Sequence, residues 1–164
     1  MGKIIFQIIG TILLSLVLSF SVWADFTGKV IKIADGDTIT VLDRYKVQHR
    51  IRLTGIDAPE RRQAFGSRSK QSLSKLVFSK TVIVKTNKQD RYGRVLGKVL
   101  INGIDVNKEQ VRRGMAWHGY FRDQTAADRI TYAEIQKNAR KARRGLWVDP
   151  NPLPPWKWRK LRKK

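Results

Sequence analysis

The chain has 164 residues, room for one domain and not for two, and 41% of them are hydrophobic, enough for a packed core. Its charge is the outlier: 34 Lys+Arg against 13 Asp+Glu, a formal net charge of +21. Such an excess points to a polyanionic partner (nucleic acid, an anionic membrane surface or an acidic polysaccharide), the alternative being a basic surface kept only for solubility. With no Cys there are no disulfides and no thiolate metal sites, so core packing alone must hold the fold.

In chain order, Lys3 precedes an uncharged apolar run over 4–20, and Val22 and Ala24 stand at the −3 and −1 positions of a cleavage site. This is the layout of an export signal peptide over 1–24, cut before Asp25, which sends the protein to the periplasm or outside the cell. The run is also near the lower length limit for a retained membrane anchor. Lys3 is the segment's only charge, so its removal takes the formal charge from +21 to +20 and the body stays basic. Residues 26–34 predict a strand, Asp35-Gly36-Asp37 a turn, and 38–42 the second arm of a hairpin. Residues 46–53 alternate, with Val47, His49, Ile51 and Leu53 on the apolar face and Gln48, Arg50 and Arg52 opposite. Pro59 helps end that run within 55–60. Further on come a helix over 67–78, strands over 81–86 and 94–101 around a polar loop at 87–93, a helix over 106–113, and a longer one over 125–144. Thr125 or Asp123 caps that last helix and Gly145 ends it.

Five strands in this order cannot form a parallel doubly wound sheet. They suit an α+β fold: a five-stranded OB-fold barrel of Greek-key type with three packed helices, spanning 25–148. Beyond it, 149–155 is a Pro-rich arm and 156–164 a basic tail carrying Trp156 and Trp158. The 149–164 segment is expected to be mobile.

The acids are scarce, and Asp37, Asp57 and Glu60 fall at predicted strand ends. Unpaired carboxylates brought together repel one another, and a divalent cation removes that cost. Carboxylate and carbonyl oxygens suit hard cations such as Ca²⁺ and Mg²⁺, whereas two His and no Cys argue against zinc. Taken singly, Asp37 could serve only its turn and Asp57 only its loop. Arg52 and Arg94 add guanidinium groups, which grip phosphate oxygens in two-pronged fashion. Two arginines and a metal around one phosphate can stabilise an in-line displacement, with a nearby carboxylate activating water.

Three strings then resemble the thermonuclease (staphylococcal-nuclease-like) family. They are Asp35-Gly36-Asp37-Thr38, the run from Arg52 through Asp57-Ala58-Pro59-Glu60, and Asp90-Arg91-Tyr92-Gly93-Arg94. The strings Val111 to Ala116 and Gly145-Leu146-Trp147 extend the resemblance over about 26–148. The resemblance implies a nuclease with one bound Ca²⁺, acting on DNA and RNA and leaving 3′-phosphate ends. It implies that Asp37 and Asp57 bind Ca²⁺ through carboxylates and Ala58 through its carbonyl, where many members have Thr. It further implies that Glu60 positions or deprotonates water, that Arg52 and Arg94 hold the phosphate, and that Arg91 and Tyr92 contact a terminal phosphate. Tyr120 aligns loosely with the family's base-stacking tyrosine.

Other residues read as structural: His49 and His118 have no motif around them, and Trp117 and Phe121 read as core aromatics. The tail could add phosphate contacts and base stacking, adsorb to an anionic surface, or merely be solvated. No protein partner is implied and a monomer is expected. Two rival functions stay open: a catalytically inactive OB-fold nucleic-acid-binding module, and a cationic membrane-surface protein.

Overall fold

Alternating β-branched residues build the barrel wall: in the segment Thr81–Gln89, Val82 and Val84 point inward while Thr81, Ile83 and Lys85 face out. The computed structural model describes residues 24–162, so the export signal read over 1–24 lies outside the described residues apart from Ala24. The strands are β1 (Phe26–Ile33), β2 (Thr38–Asp43), β3 (Gln48–Leu53), β4 (Ile56–Asp57), β5 (Thr81–Gln89), β6 (Val95–Ile101), β7 (Ile104–Asp105) and β8 (Trp117–His118). The α-helices are α1 (Gly66–Val77), α2 (Val106–Arg112), α3 (Ala126–Lys141) and α4 (Pro155–Leu161). Short 3₁₀ turns lie at Phe121–Asp123 and Gly145–Val148.

Strands β3, β2, β1, β5 and β6 pair antiparallel in that order, and a parallel β3–β6 pairing closes the ring. This closed five-stranded mixed barrel is the α+β, OB-type fold expected from the sequence. Closure also removes the open sheet edges that would otherwise invite pairing with other chains. Val30, Ile39, Val41, Ile51, Leu53, Val82, Val84, Val95 and Val99 fill the barrel, and Leu73 and Val77 of α1 join the same core. Val106 and Val111 of α2 and Tyr132 of α3 complete it.

Several findings differ from the sequence reading. Strand β3 begins at Gln48 because Asp43 Oδ1 accepts from the backbone N–H groups of Tyr45 and Val47, closing a turn that leaves Val47 half exposed. Helix α3 keeps Thr125 as its N-cap but ends at Lys141, where Arg143 turns left-handed (φ 48°). Phe121, expected in the core, lies about half exposed in its 3₁₀ turn. The tail forms a fourth helix: Pro154 and Pro155 are buried at its start, a position where proline's fixed φ favours helix entry. Gln63 Nε2 donates to the Leu153 carbonyl at 2.5 Å, and the Trp156 ring meets the edge of Trp117 at 5.4 Å between centroids.

His49 pairs with Asp43 at 2.8 Å, and His118, which burial holds below its ordinary pKa, is bonded through its ring to Gln124 at 2.8 Å. Gln110 of α2 carries more of the architecture. Wholly buried, it donates to the carbonyls of Gly36 (2.8 Å) and Ser69 (3.2 Å) and accepts from the Ser72 hydroxyl (2.7 Å). It thereby ties the β1–β2 turn to α1. Gln110→Leu leaves these groups buried without their partner and is expected to cost about 2 kcal/mol, measured by urea unfolding. An unchanged midpoint would show that the turn is held elsewhere.

Candidate active site

Where the β1–β2 turn, the end of β3 and the strand β4 come together, three charged side chains are buried. Asp37 sits at the start of β2. Its backbone N–H donates to Asp35 Oδ1 at 3.0 Å, and its carbonyl accepts from Leu53 N at 2.8 Å, fixing the turn against β3. One carboxylate oxygen accepts from the Thr38 hydroxyl (3.0 Å) and the other from the Ala58 N–H (2.6 Å). Asp57 lies in β4, which pairs with β8 in a register that sets it opposite Trp117 and leaves it 2% exposed.

Arg52 lies on the face of β3 that alternation assigns to polar residues, yet it is 8% exposed. The two acids explain this. Its Nη2 stands 3.1 Å from Asp37 Oδ2 and 3.2 Å from Asp57 Oδ1, while Nη1 donates to the Leu53 carbonyl at 2.6 Å. One guanidinium is thus shared between two buried carboxylates, the arrangement that lets buried charge persist. Burial nevertheless pushes the Asp37 carboxyl above the ordinary range, with Arg52 opposing the shift and Asp35 and Asp57 adding to it.

Glu60 lies at the half-buried rim, after Pro59, and its N–H donates to Gln63 Oε1 at 3.1 Å. Tyr120, with left-handed backbone (φ 54°), holds its ring over Arg52, 5.3 Å from the guanidinium carbon to the ring centroid. Asp37, Arg52, Asp57, Ala58, Glu60 and Tyr120 are therefore gathered in one place. Arg94, Arg91 and Tyr92 form a second group on the β5–β6 turn. Arg94 donates from Nε to Asp90 Oδ2 (2.8 Å), its Nη2 lies 2.7 Å from the same oxygen, and the guanidinium groups of Arg91 and Arg94 both lie over the exposed Tyr92 ring.

The residue missed in the sequence is Arg159 of α4. Its Nη2 donates to Asp57 Oδ2 (2.7 Å) and to the Tyr120 hydroxyl (3.0 Å), and its Nη1 to Glu60 Oε1 (2.7 Å) and Asp57 Oδ1 (3.2 Å).

The family model for staphylococcal nuclease homologues matches residues 50–149. The chain is 45% identical over 159 residues to the micrococcal nuclease of Shigella flexneri, covering 90% of this chain and 88% of that protein. It is 43% identical over 155 residues to protein ParB of Escherichia coli (88% and 85%), and 45% over 137 residues to an uncharacterized endonuclease of Escherichia coli (83% and 86%). The chain belongs to the staphylococcal nuclease family.

It is accordingly a nuclease, a hydrolase of phosphodiester bonds in nucleic acid. Nucleases of this kind are generally metal-dependent. Among the described residues no group of three or more His, Cys, Asp or Glu side chains assembles to hold a metal. Two carboxylates, Asp37 and Asp57, are nevertheless buried together in this site around one shared guanidinium. Carboxylate oxygens of this kind suit a hard cation that fills the rest of its shell with other oxygens, water and substrate. The residues fit such an ion.

Proposed function

We propose that this nuclease is an exported enzyme that uses Ca²⁺ and cleaves DNA and RNA alike to leave 3′-phosphate ends, its nuclease domain running over 25–148 and working as a monomer. The observation that carries the reading is the pair of buried carboxylates sharing Arg52, with Glu60 at the solvent rim beside them. Asp37 and Asp57 would hold the ion with their carboxylates and Ala58 with its carbonyl. Bound there, the ion would offset the acids and polarise a phosphoryl oxygen.

The chain's own groups do the rest. Arg52, anchored on Leu53 and both acids, presents a fixed positive charge to the phosphate. Glu60 takes a proton from water at the rim, and that water's oxygen bonds to phosphorus. The bond from phosphorus to the 5′ oxygen breaks, the leaving oxygen gains a proton, and the phosphate stays on the 3′ side. Because water is the nucleophile, a 2′-hydroxyl is not required, so DNA and RNA can both be substrates. Arg94 would leave Asp90 for the phosphate, and Arg91 and Tyr92 on the same turn would meet a terminal phosphate. Tyr120 offers a half-exposed ring for a base beside the scissile bond.

The test uses the purified protein with DNA and with RNA, in Ca²⁺ and then in chelator. Cleavage of both is expected in Ca²⁺, with loss of at least about a hundredfold on chelation and a similar loss in Glu60→Gln. The fragments should carry 5′-hydroxyl ends that accept a phosphate label without prior dephosphorylation. Full activity in chelator would refute the metal assignment. Tight, salt-sensitive binding without cleavage would move the protein to the rival binding module.

A further inference from the structure

Arg159 reaches the catalytic acids from a helix about a hundred residues away in the chain, outside the 50–149 span that the family model covers. Its contacts are specific. The guanidinium grips both oxygens of Asp57, one oxygen of Glu60, and the hydroxyl of Tyr120. With Arg52 also on Asp57 Oδ1, each hydrogen bond that the carboxylate makes among the described residues is with a guanidinium. A divalent ion seated on Asp57 needs those same oxygens, and with Arg52 and Arg159 already on them it would be a third cation on one buried carboxylate, a crowding relieved when Arg159, the more exposed of the two arginines, leaves.

We propose that the C-terminal arm carries a built-in competitor for the metal: Arg159 occupies the outward side of Asp57 and the catalytic oxygen of Glu60, and a divalent cation must displace it before the site can work. The inference rests on the reading of Asp57 as a metal ligand. The arm is built so that this exchange needs no unfolding. Its docking is secured elsewhere, by the Gln63–Leu153 hydrogen bond, the Trp156–Trp117 contact and the buried Pro154 and Pro155. Arg159 reaches from α4 into the cleft, and its side chain is about one-third exposed, so solvent is open to it. Beside it lies a groove of about 440 Å³, lined by Glu60, Arg61, Arg62, Trp158, Arg159 and Arg162, into which a released guanidinium can swing. Substrate phosphate would favour the released position, because a polyanion compensates the crowded arginines there.

The consequence is a raised threshold for the ion. Displacing a partly exposed guanidinium costs binding affinity without altering the ligands themselves. The protein would stay silent at low divalent-ion concentration and switch on where the ion is plentiful.

The experiment is a calorimetric titration of Ca²⁺ into the wild-type protein, Arg159→Ala and Lys160→Ala. Lys160 is an exposed neighbour on the same helix and controls for a mere change in net charge. Arg159→Ala is expected to bind Ca²⁺ roughly five- to tenfold more tightly than wild type, and Lys160→Ala within about twofold of it. The Ca²⁺-induced rise in Tm should likewise be larger in Arg159→Ala, a readout that survives any loss of intrinsic stability in the variant. Equal or weaker binding by Arg159→Ala overturns the competitor role, weaker binding meaning that Arg159 helps to build the ion site. Absence of binding in both the wild type and Arg159→Ala overturns the Ca²⁺ reading, and the competitor role with it.

Discussion

Arg52→Lys is expected to lower the cleavage rate about a hundredfold while the protein stays folded, with a urea midpoint lowered by less than in Arg52→Ala. The reason is geometric. Arg52 spends one nitrogen on the Leu53 carbonyl and another between Asp37 and Asp57, so its position is fixed from three sides. A lysine ammonium keeps the positive charge that the two buried carboxylates require, which protects the fold. It is a single point donor, however, and cannot satisfy both acids and a carbonyl while still presenting an N–H to a phosphoryl oxygen. The loss should fall in kcat more than in KM, because the interaction removed strengthens as charge builds on the phosphate. Arg52→Ala is the poorer test, since it leaves two uncompensated buried acids and confounds catalysis with stability. A lysine variant that cleaves at the wild-type rate would remove Arg52 from the catalytic machinery and leave it a structural counter-ion.

Much of this site was legible in the sequence because its parts sit beside local signals. Asp37 closes a turn marked by Asp35 and Gly36, and Arg52 and Asp57 flank a strand end marked by Pro59. The barrel was legible for the same reason: strands that alternate announce themselves, and those strands close the ring. What was hidden depends on contacts between distant segments. Arg159 is one basic residue in a run of Lys and Arg, and neither periodicity nor composition marks it out from its neighbours. Only the docking of Leu153 against Gln63 and of Trp156 against Trp117 aims it at Asp57. The paired prolines at 154–155 were the available clue, since they begin a helix well and extend a coil equally well. Arg94 shows the opposite limit. The string that singles it out also carries Asp90, and the structure pairs the two four residues apart across the turn. The sequence names a candidate phosphate ligand there, but not the partner it has to leave.

A large effect on stability, passed directly to the site, is expected from a single methyl group in the turn before Asp37. Gly36→Ala should cost about 3 kcal/mol, moving the urea midpoint down by roughly 1–2 M, and cut the cleavage rate tenfold or more. A Cβ on Gly36 would lie 1.8 Å from Ser69 Oγ, 2.7 Å from Ser69 Cβ and 2.8 Å from Ala58 Cβ. None of these neighbours can step aside cheaply. Ser69 is buried in α1 and its hydroxyl donates to the Met115 carbonyl at 2.6 Å, and rotating Oγ away would leave Cβ still too close. Ala58 ends at its Cβ, so relief there requires the backbone to move. That backbone carries the N–H bonded to Asp37 and the carbonyl proposed above as a metal ligand. Strain at Gly36 is therefore passed to both flanks of the site at once, and the rate should fall even under conditions where the variant is fully folded. Gly119→Ala is the matched control: an added Cβ meets nothing within 4 Å there, and its stability should stay within about 0.5 kcal/mol of wild type. If Gly36→Ala matched the wild type in both midpoint and rate, the close approach of the turn to α1 and Ala58 would not be what holds Asp37 in place.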